Sequence, residues 1–199
     1  VSTPLHADAL TLLQSWTPPT AAQAALRERY VEHLRAHPDG LTRECRPDHV
    51  TASTVVLDAD RSHVLLTLHA KARRWFQLGG HCEPGDRTLG GAALREATEE
   101  SGITGLQLLA VPVHLDEHVV PFCGPTADVH HLDVRFVALA PAGARHTVSE
   151  ESLDVRWWPV DALPDRDLDE LVAHALAQSI SSDSPGGGST WAAADQPSR

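Results

Sequence analysis

The chain has no methionine, one tyrosine, three phenylalanines and only three cysteines in 199 residues. Cys45, Cys82 and Cys123 are too few and too scattered for a disulfide framework, which predicts a reducing, cytoplasmic setting. No run approaches the roughly 18 apolar residues of a membrane-spanning helix. The N-terminus has no basic region followed by an apolar run, so no signal peptide is expected. Positive charge is scarce as well: 16 Lys and Arg stand against 27 Asp and Glu, a formal net charge of −11. That balance argues against a nucleic-acid backbone or an anionic membrane as partner. An acidic protein that handles phosphates must recruit its cations, and metal ions are the ready source. What the chain does have is 42% apolar residues, enough for one core and a small appendage.

The most informative stretch runs from Gly79 to Ile103, GGHCEPGDRTLGGAALREATEESGI. Residues three and four apart share a helix face, so Glu96, Glu99 and Glu100 point one way. Ala92, Ala93, Leu94 and Ala97 supply an apolar side for close packing. Crowded carboxylates repel one another unless a cation sits among them. Hard divalent ions, Mg²⁺ or Mn²⁺, take oxygen ligands and carry a substrate phosphate on their open positions. The plain alternative is a solvated acidic face. Gly79, Gly80 and Gly85, with Pro84, predict a tight turn that brings backbone close to a ligand.

These residues resemble the box of the Nudix (MutT-like) hydrolases: Gly, five residues, Glu, seven residues, then Arg-Glu-apolar-x-Glu-Glu-x-Gly-apolar. Gly80, Arg95, Glu96, Ala97, Glu99, Glu100, Gly102 and Ile103 match it. Asp86 stands at the first Glu, and eight residues rather than seven separate it from Arg95. The resemblance implies a Nudix-type α/β/α sandwich around a mixed sheet over residues 45–180. It implies hydrolysis of a nucleoside diphosphate linked to another group, or of another small organic pyrophosphate. It makes Glu99 and Glu100 the main Mg²⁺ ligands, helped by a carbonyl of the Gly79-Gly80 turn. Glu96 would orient or deprotonate the attacking water, or bind a further ion. Arg95 would hold the glutamates by ion pairing. Glu150 or Glu151 would be the further acid from a later loop, and the basic turn of Lys71, Arg73 and Arg74 would lie near substrate. A nucleotide-sensing domain without catalysis is the competing reading, against which the intact glutamates count.

Thirteen histidines are present, and some are suggestively placed. His131 and Asp133 lie two apart on a strand and share a face. With His49 and His81 they resemble, by position, the metal ligands of isopentenyl-diphosphate isomerase, another Nudix-fold enzyme. That enzyme has His at two of these places and Glu at the places of His131 and Asp133. Its catalytic Cys falls at Gly79 here, so isomerase activity is not expected. The likeness implies a second site for Zn²⁺, Mn²⁺ or Fe²⁺ on His49, His81, His131 and Asp133, a set such ions suit, which a specialised phosphatase or isomerase could use. His118 and Cys123, in the loop between, are not counted among its ligands.

The remaining organisation follows from punctuation and period. A helical hairpin is expected in residues 1–44, with helices over 5–16 and 20–37 parted by Thr17-Pro18-Pro19. Its expected use is packing on the core or a homodimer contact, with capping of the substrate as the alternative. Strands are expected over 50–57, 64–69, 75–78, 106–115, 130–139 and 155–160, with a loop over 116–128 and a closing helix over 165–179. Trp75, Phe76 and Phe122 are candidates to stack a base, though each also reads as core. From 181 onward the composition predicts a disordered tail in which Trp191 is incidental.

Overall fold

The ten residues of β1 (Asp48–Leu57) are rich in Val and Thr, and nearly all are buried on both faces. In the computed structural model, which describes residues 3–121, 123, 129–148, 152–183 and 191–193, this strand is the axis of a curled mixed sheet. On one side it runs parallel to β7 (His130–Leu139), from Asp48 opposite His130 to Leu57 opposite Leu139. Its other side is shared by two antiparallel strands. β2 (His63–His69) pairs with its last residues, and β4 (Leu78–His81) pairs with Thr51–Thr54. β3 (Trp75–Phe76), β5 (Gln107–Leu109), β6 (His114–Val119), β8 (Ser152–Pro159) and β9 (Trp191–Ala193) complete it.

Helices cover both faces. α3 (Leu89–Ser101) starts at Thr88, whose hydroxyl accepts from the Gly91 N–H, and ends at Gly102 in the left-handed conformation. Its buried Ala92, Ala93 and Ala97 let it lie close over Val50, Ala52 and Val56 of β1. The alternate residues Val55 and Leu57 face a second core, under Leu171, Val172 and Ala175 of α4 (Asp169–Ser182). The same alternation leaves His49, Thr51 and Ser53 on the α4 side as a buried polar row.

The N-terminal helices α1 (Pro4–Ser15) and α2 (Ala21–Ala36) belong to the first core, through Leu5, Ala9, Leu13, Tyr30, Val31 and Leu34. Asp8 accepts the Leu89 N–H at 2.8 Å, so α1 helps to cap α3. Gln23 brackets β6, donating to the Leu115 carbonyl at 2.9 Å and accepting its N–H at 2.6 Å. The helical hairpin is therefore built into the same core as the sheet.

Three expectations change. The single strand over 106–115 is two, because Pro112 lies between β5 and β6, and β6 runs to Val119 where a loop was expected. α4 continues to Ser182, past the expected start of the tail. Trp191 is not incidental: β9 pairs with β5, and the indole packs on the α4-side core and donates to Asp183 at 3.2 Å. Among the described residues, no helix is long and apolar enough to cross a membrane.

Because Leu34 is fully buried in the core shared by α2 and the sheet, Leu34→Ala should cost about 2–5 kcal/mol. The loss should appear as one lowered urea midpoint for the whole chain. An unchanged midpoint for the sheet would show the helices to be a separate unit.

Candidate active site

Gly79 and Gly80 do not form the expected turn. They are strand residues of β4, opposite Ser53 and Ala52 of β1, and the bend comes later, where the Asp86 N–H donates to the Glu83 carbonyl at 3.0 Å. Gly79 is demanded sterically, and Gly80 leaves room for a carboxylate. At Gly79, with φ of 151°, a Cβ would stand 2.3 Å from the Ser53 Cβ. At Gly80 it would stand 2.9 Å from Glu96 Oε2. The missing side chains let the glutamates of α3 come down onto the strand, where the Gly79 N–H donates to Glu100 Oε2 at 3.0 Å.

Arg95 organises what lies above that strand. Its Nε and Nη2 donate to the two oxygens of Asp86 at 3.1 and 3.0 Å, a bidentate pair, and Nη2 also reaches the His81 carbonyl at 3.0 Å. Nη1 donates to Glu96 at 3.0 Å and to Glu99 at 3.1 Å. Burial opposes the charge on Arg95, but the Asp86 hydrogen bonds and the Glu96 and Asp86 charges outweigh it and raise its pKa further. Asp86, only 8% exposed, is the residue that departs from the box, and it anchors the arginine. Sequence reasoning noted the position without seeing this use. Glu96 is 17% exposed and Glu99 60%, so the carboxylates run from the strand outward to solvent.

Other expected residues are placed differently. Arg74 is turned toward the start of α4, donating to Asp165 at 2.5 Å and Asp167 at 2.7 Å, because two carboxylates there satisfy it. Trp75 packs edge-on to Trp158 in the α4-side core, with ring centroids 5.3 Å apart. Phe76 meets the His69 ring edge-on. Glu150, Glu151 and Phe122 lie outside the described residues. Cys82 is a half-buried thiol whose pKa is pushed up to about 12 by desolvation and by the Asp86 charge, so it stays protonated.

The histidines form a second constellation with one correction. β4, β1 and β7 lie side by side, which brings His81, His49 and His131 together. The fourth member is Cys123, not Asp133. Cys123 Sγ lies 3.2 Å from His81 Nε2, 3.2 Å from His131 Nε2 and 3.8 Å from His49 Nε2. The two imidazole nitrogens of His49 and His81 are 3.1 Å apart, and all four donor atoms fall within 4.8 Å of one another. This group can hold a metal ion. Burial, with the neighbouring imidazoles, pulls the pKa of His81 down to about 4 and that of His131 down to about 3, so both are neutral near pH 7. His118 stands beside the group, engaged by Asp116 at 2.7 Å.

Asp133 is committed elsewhere. It is 3% exposed and accepts from Thr51 at 2.9 Å, Ser53 at 2.7 Å, Gln77 at 3.1 Å and Arg135 at 2.9 Å. Burial alone would raise its pKa, but the Arg135 and His118 charges and these donors hold it below the usual carboxylate range. With its acceptor capacity filled, it has none to spare for an ion.

Carboxylates gathered by an arginine beside a glycine strand, on an α/β/α sandwich, define a class of enzyme: hydrolases of phosphoanhydride bonds. The NUDIX domain family model matches residues 47–178, and the chain belongs to the Nudix (MutT-like) hydrolase family. The fold is similar to a NUDIX-family hydrolase from Clostridium perfringens, with TM-score 0.51 and 24% identity, over 66% of this chain and 97% of that one. It is similar to an Ap4A hydrolase from C. elegans, with TM-score 0.51 and 17% identity, over 66% and 97% of the two chains. A MutT protein from Methanosarcina mazei Go1 gives TM-score 0.50 and 17% identity, over 66% and 95%. At such identities these likenesses speak for the fold alone. No curated protein matches the chain in sequence.

Removing Arg135 would leave Asp133 as a buried charge without its cation. Arg135→Met should therefore cost about 3–5 kcal/mol, measured by urea unfolding. Adding Asp133→Asn should recover part of the loss, since no buried carboxylate then remains; a fully additive double variant would show that the pair is not coupled.

Proposed function

We propose that the protein is a divalent-metal-dependent pyrophosphohydrolase, acting on a nucleoside diphosphate linked to another group or on another small organic pyrophosphate. The observation that carries this reading is the gathering of Glu96, Glu99 and Glu100 onto β4, by Arg95 from one side and the Gly79 N–H from the other. The residues fit a hard ion. The donors are carboxylate oxygens, and the bare Cα of Gly80 leaves room for the Glu96 carboxylate that a side chain would displace. Glu99 and Glu100, with Glu96, would hold Mg²⁺ or Mn²⁺. When bound, such an ion neutralises diphosphate oxygens and lowers the pKa of coordinated water.

The chain's own groups supply the rest. The Gly79 N–H fixes the orientation of the Glu100 carboxylate, which a freely rotating side chain would lose to entropy. Glu96, more sheltered than Glu99, is the group to orient the attacking water and take its proton. Arg95 is a positioning residue, because its donors are spent on Asp86, Glu96, Glu99 and the His81 carbonyl. A second, transition-metal ion belongs to the histidine group rather than to the glutamates. Three unpaired thiols agree with work in a reducing cytoplasm.

The test is turnover of a panel of nucleoside diphosphate derivatives and organic pyrophosphates with and without Mg²⁺. Metal-dependent release of phosphate or pyrophosphate-derived products is expected. Glu100→Gln should lower kcat/KM on the order of a thousandfold, since several kcal/mol of charge stabilisation depend on the ion it holds. Retained turnover in that variant would sink the assignment. Tight binding without turnover of any member would favour a sensing domain.

A further inference from the structure

Four atoms able to ligate a metal converge at one end of the sheet: Nε2 of His49, His81 and His131, and the Cys123 sulfur. The Nδ1 of His49 lies 3.1 Å from the Cys45 carbonyl, where only an N–H is attractive, so the proton sits on Nδ1 and Nε2 carries a lone pair. That Nε2 faces His81 Nε2 at 3.1 Å, and both face the Cys123 sulfur. A single cation placed among them would engage all four donor atoms at once.

We propose that His49, His81, Cys123 and His131 form a closed tetrahedral Zn²⁺ site that clamps Cys123 to the sheet and steadies β4. Four of the six donor separations lie close to what the ion requires. With Zn–N of about 2.05 Å and Zn–S of about 2.3 Å, a regular tetrahedron separates its donors by about 3.3 Å between nitrogens and about 3.6 Å between nitrogen and sulfur. The observed separations are 3.1 Å for His49 to His81, and 3.2, 3.2 and 3.8 Å to the sulfur. The donor set of three imidazoles and one thiolate suits a borderline-soft ion and excludes Mg²⁺, which takes oxygen. The Cys45 carbonyl behind His49 orients the ring as outer-shell partners of zinc histidines do.

Four protein ligands leave no open position, which makes this a structural centre and not a second catalytic one. Three ligands stand on adjacent strands. The fourth, Cys123, donates its N–H to the Val120 carbonyl, the Val120 N–H donates to the Val129 carbonyl, and Val120, Cys123 and Val129 form a small separate cluster. The ion ties that cluster down. It also reaches the glutamates through β4, since the His81 carbonyl accepts from Arg95 and Gly79, two residues earlier, donates to Glu100. The inference deepens the reading of a second metal and stands apart from the hydrolase assignment, because its readout is metal and not turnover.

The full chain, purified without a histidine tag, should carry stoichiometric Zn²⁺ that survives desalting. Cobalt-exchanged protein should show intense tetrahedral d–d bands and a thiolate-to-cobalt charge-transfer band. Cys123→Ser should lose the charge-transfer band, whereas Cys82→Ser should keep it and Glu100→Gln should leave the Zn²⁺ content unchanged. Stripping the ion with a strong chelator should lower Tm on the order of 10 °C. Trace metal only, after incubation with excess Zn²⁺ and desalting, overturns the site. A charge-transfer band that persists in Cys123→Ser overturns the ligand set, and an unchanged Tm on stripping overturns the structural role. Zn²⁺ binding without any diphosphate turnover would uphold this site while the hydrolase reading failed.

Discussion

Everything described above hangs on the register of β1. Ten consecutive residues pair in parallel with β7, and four of them pair antiparallel with β4 on the other side. Those two registers set His49 against His131, Thr51 against both Asp133 and His81, and Ser53 against Gly79. A slip of one residue would turn the polar row into the apolar core under α3, so the burial pattern of β1 opposes it. The close approach of Gly79 to Ser53 pins the β4 side a second time, because only a residue without Cβ fits there. The histidine group and the carboxylate cluster are thus two consequences of one strand alignment.

Charge is managed by a recurrent device. The chain is strongly acidic, and several of its arginines each collect two or more carboxylates: Arg29 with Asp48 and Glu117, Arg74 with Asp165 and Asp167, Arg95 with Asp86, Glu96 and Glu99, and Arg135 with Asp116 and Asp133. Each such cluster neutralises part of the negative field from within. The consequence for function is direct. Arg74 and Arg95 are spoken for by the protein's own acids, so a diphosphate arriving beside α3 meets a site whose cationic partner must come with it or be bound beforehand. That is the physical argument for the metal ion proposed at Glu96, Glu99 and Glu100.

Much of this was legible in the sequence, for a definite reason. The glutamates and Arg95 sit on one helix, where spacing alone dictates which residues share a face, and the caps at Thr88 and Gly102 announce its ends. The strands β1, β2 and β7 declare themselves by β-branched runs. Failures arose where a tertiary partner decides. Alternation put Asp133 on the same face as His131, which is correct, but could not show that Thr51, Ser53, Gln77 and Arg135 had already filled it. Cys123 was discounted because it lies in a connection with no period to read. A soft donor a few residues before His131 was the available signal. Arg74 looked like a phosphate ligand in a basic turn, and Asp165 and Asp167, some ninety residues on, claim it. The tail was judged on composition, which cannot register that Trp191 has an open strand edge at β5 to pair with.

The glycine pair shows the same lesson at its sharpest, and it joins the two sites. A tight turn bringing backbone close to a ligand would have explained two adjacent glycines. In a strand the same residues do something more restrictive. Gly79 allows β4 to approach β1, and Gly80 allows α3 to approach β4, so backbone, helix carboxylates and the histidine row are compressed into one layer thickness. His81, next in the strand, then faces two ways by the geometry of its peptide: its ring turns to His49 and Cys123, and its carbonyl accepts from Arg95. Anything that fixes the ring therefore restrains the carbonyl, and through it the guanidinium that spaces Glu96 from Glu99. Arginine donors are directional, so a shift of this carbonyl by a fraction of an ångström would redistribute Arg95 among its acids. The strand that bears the glycines is for this reason the coupling element between a centre of nitrogen and sulfur donors and a centre of oxygen donors.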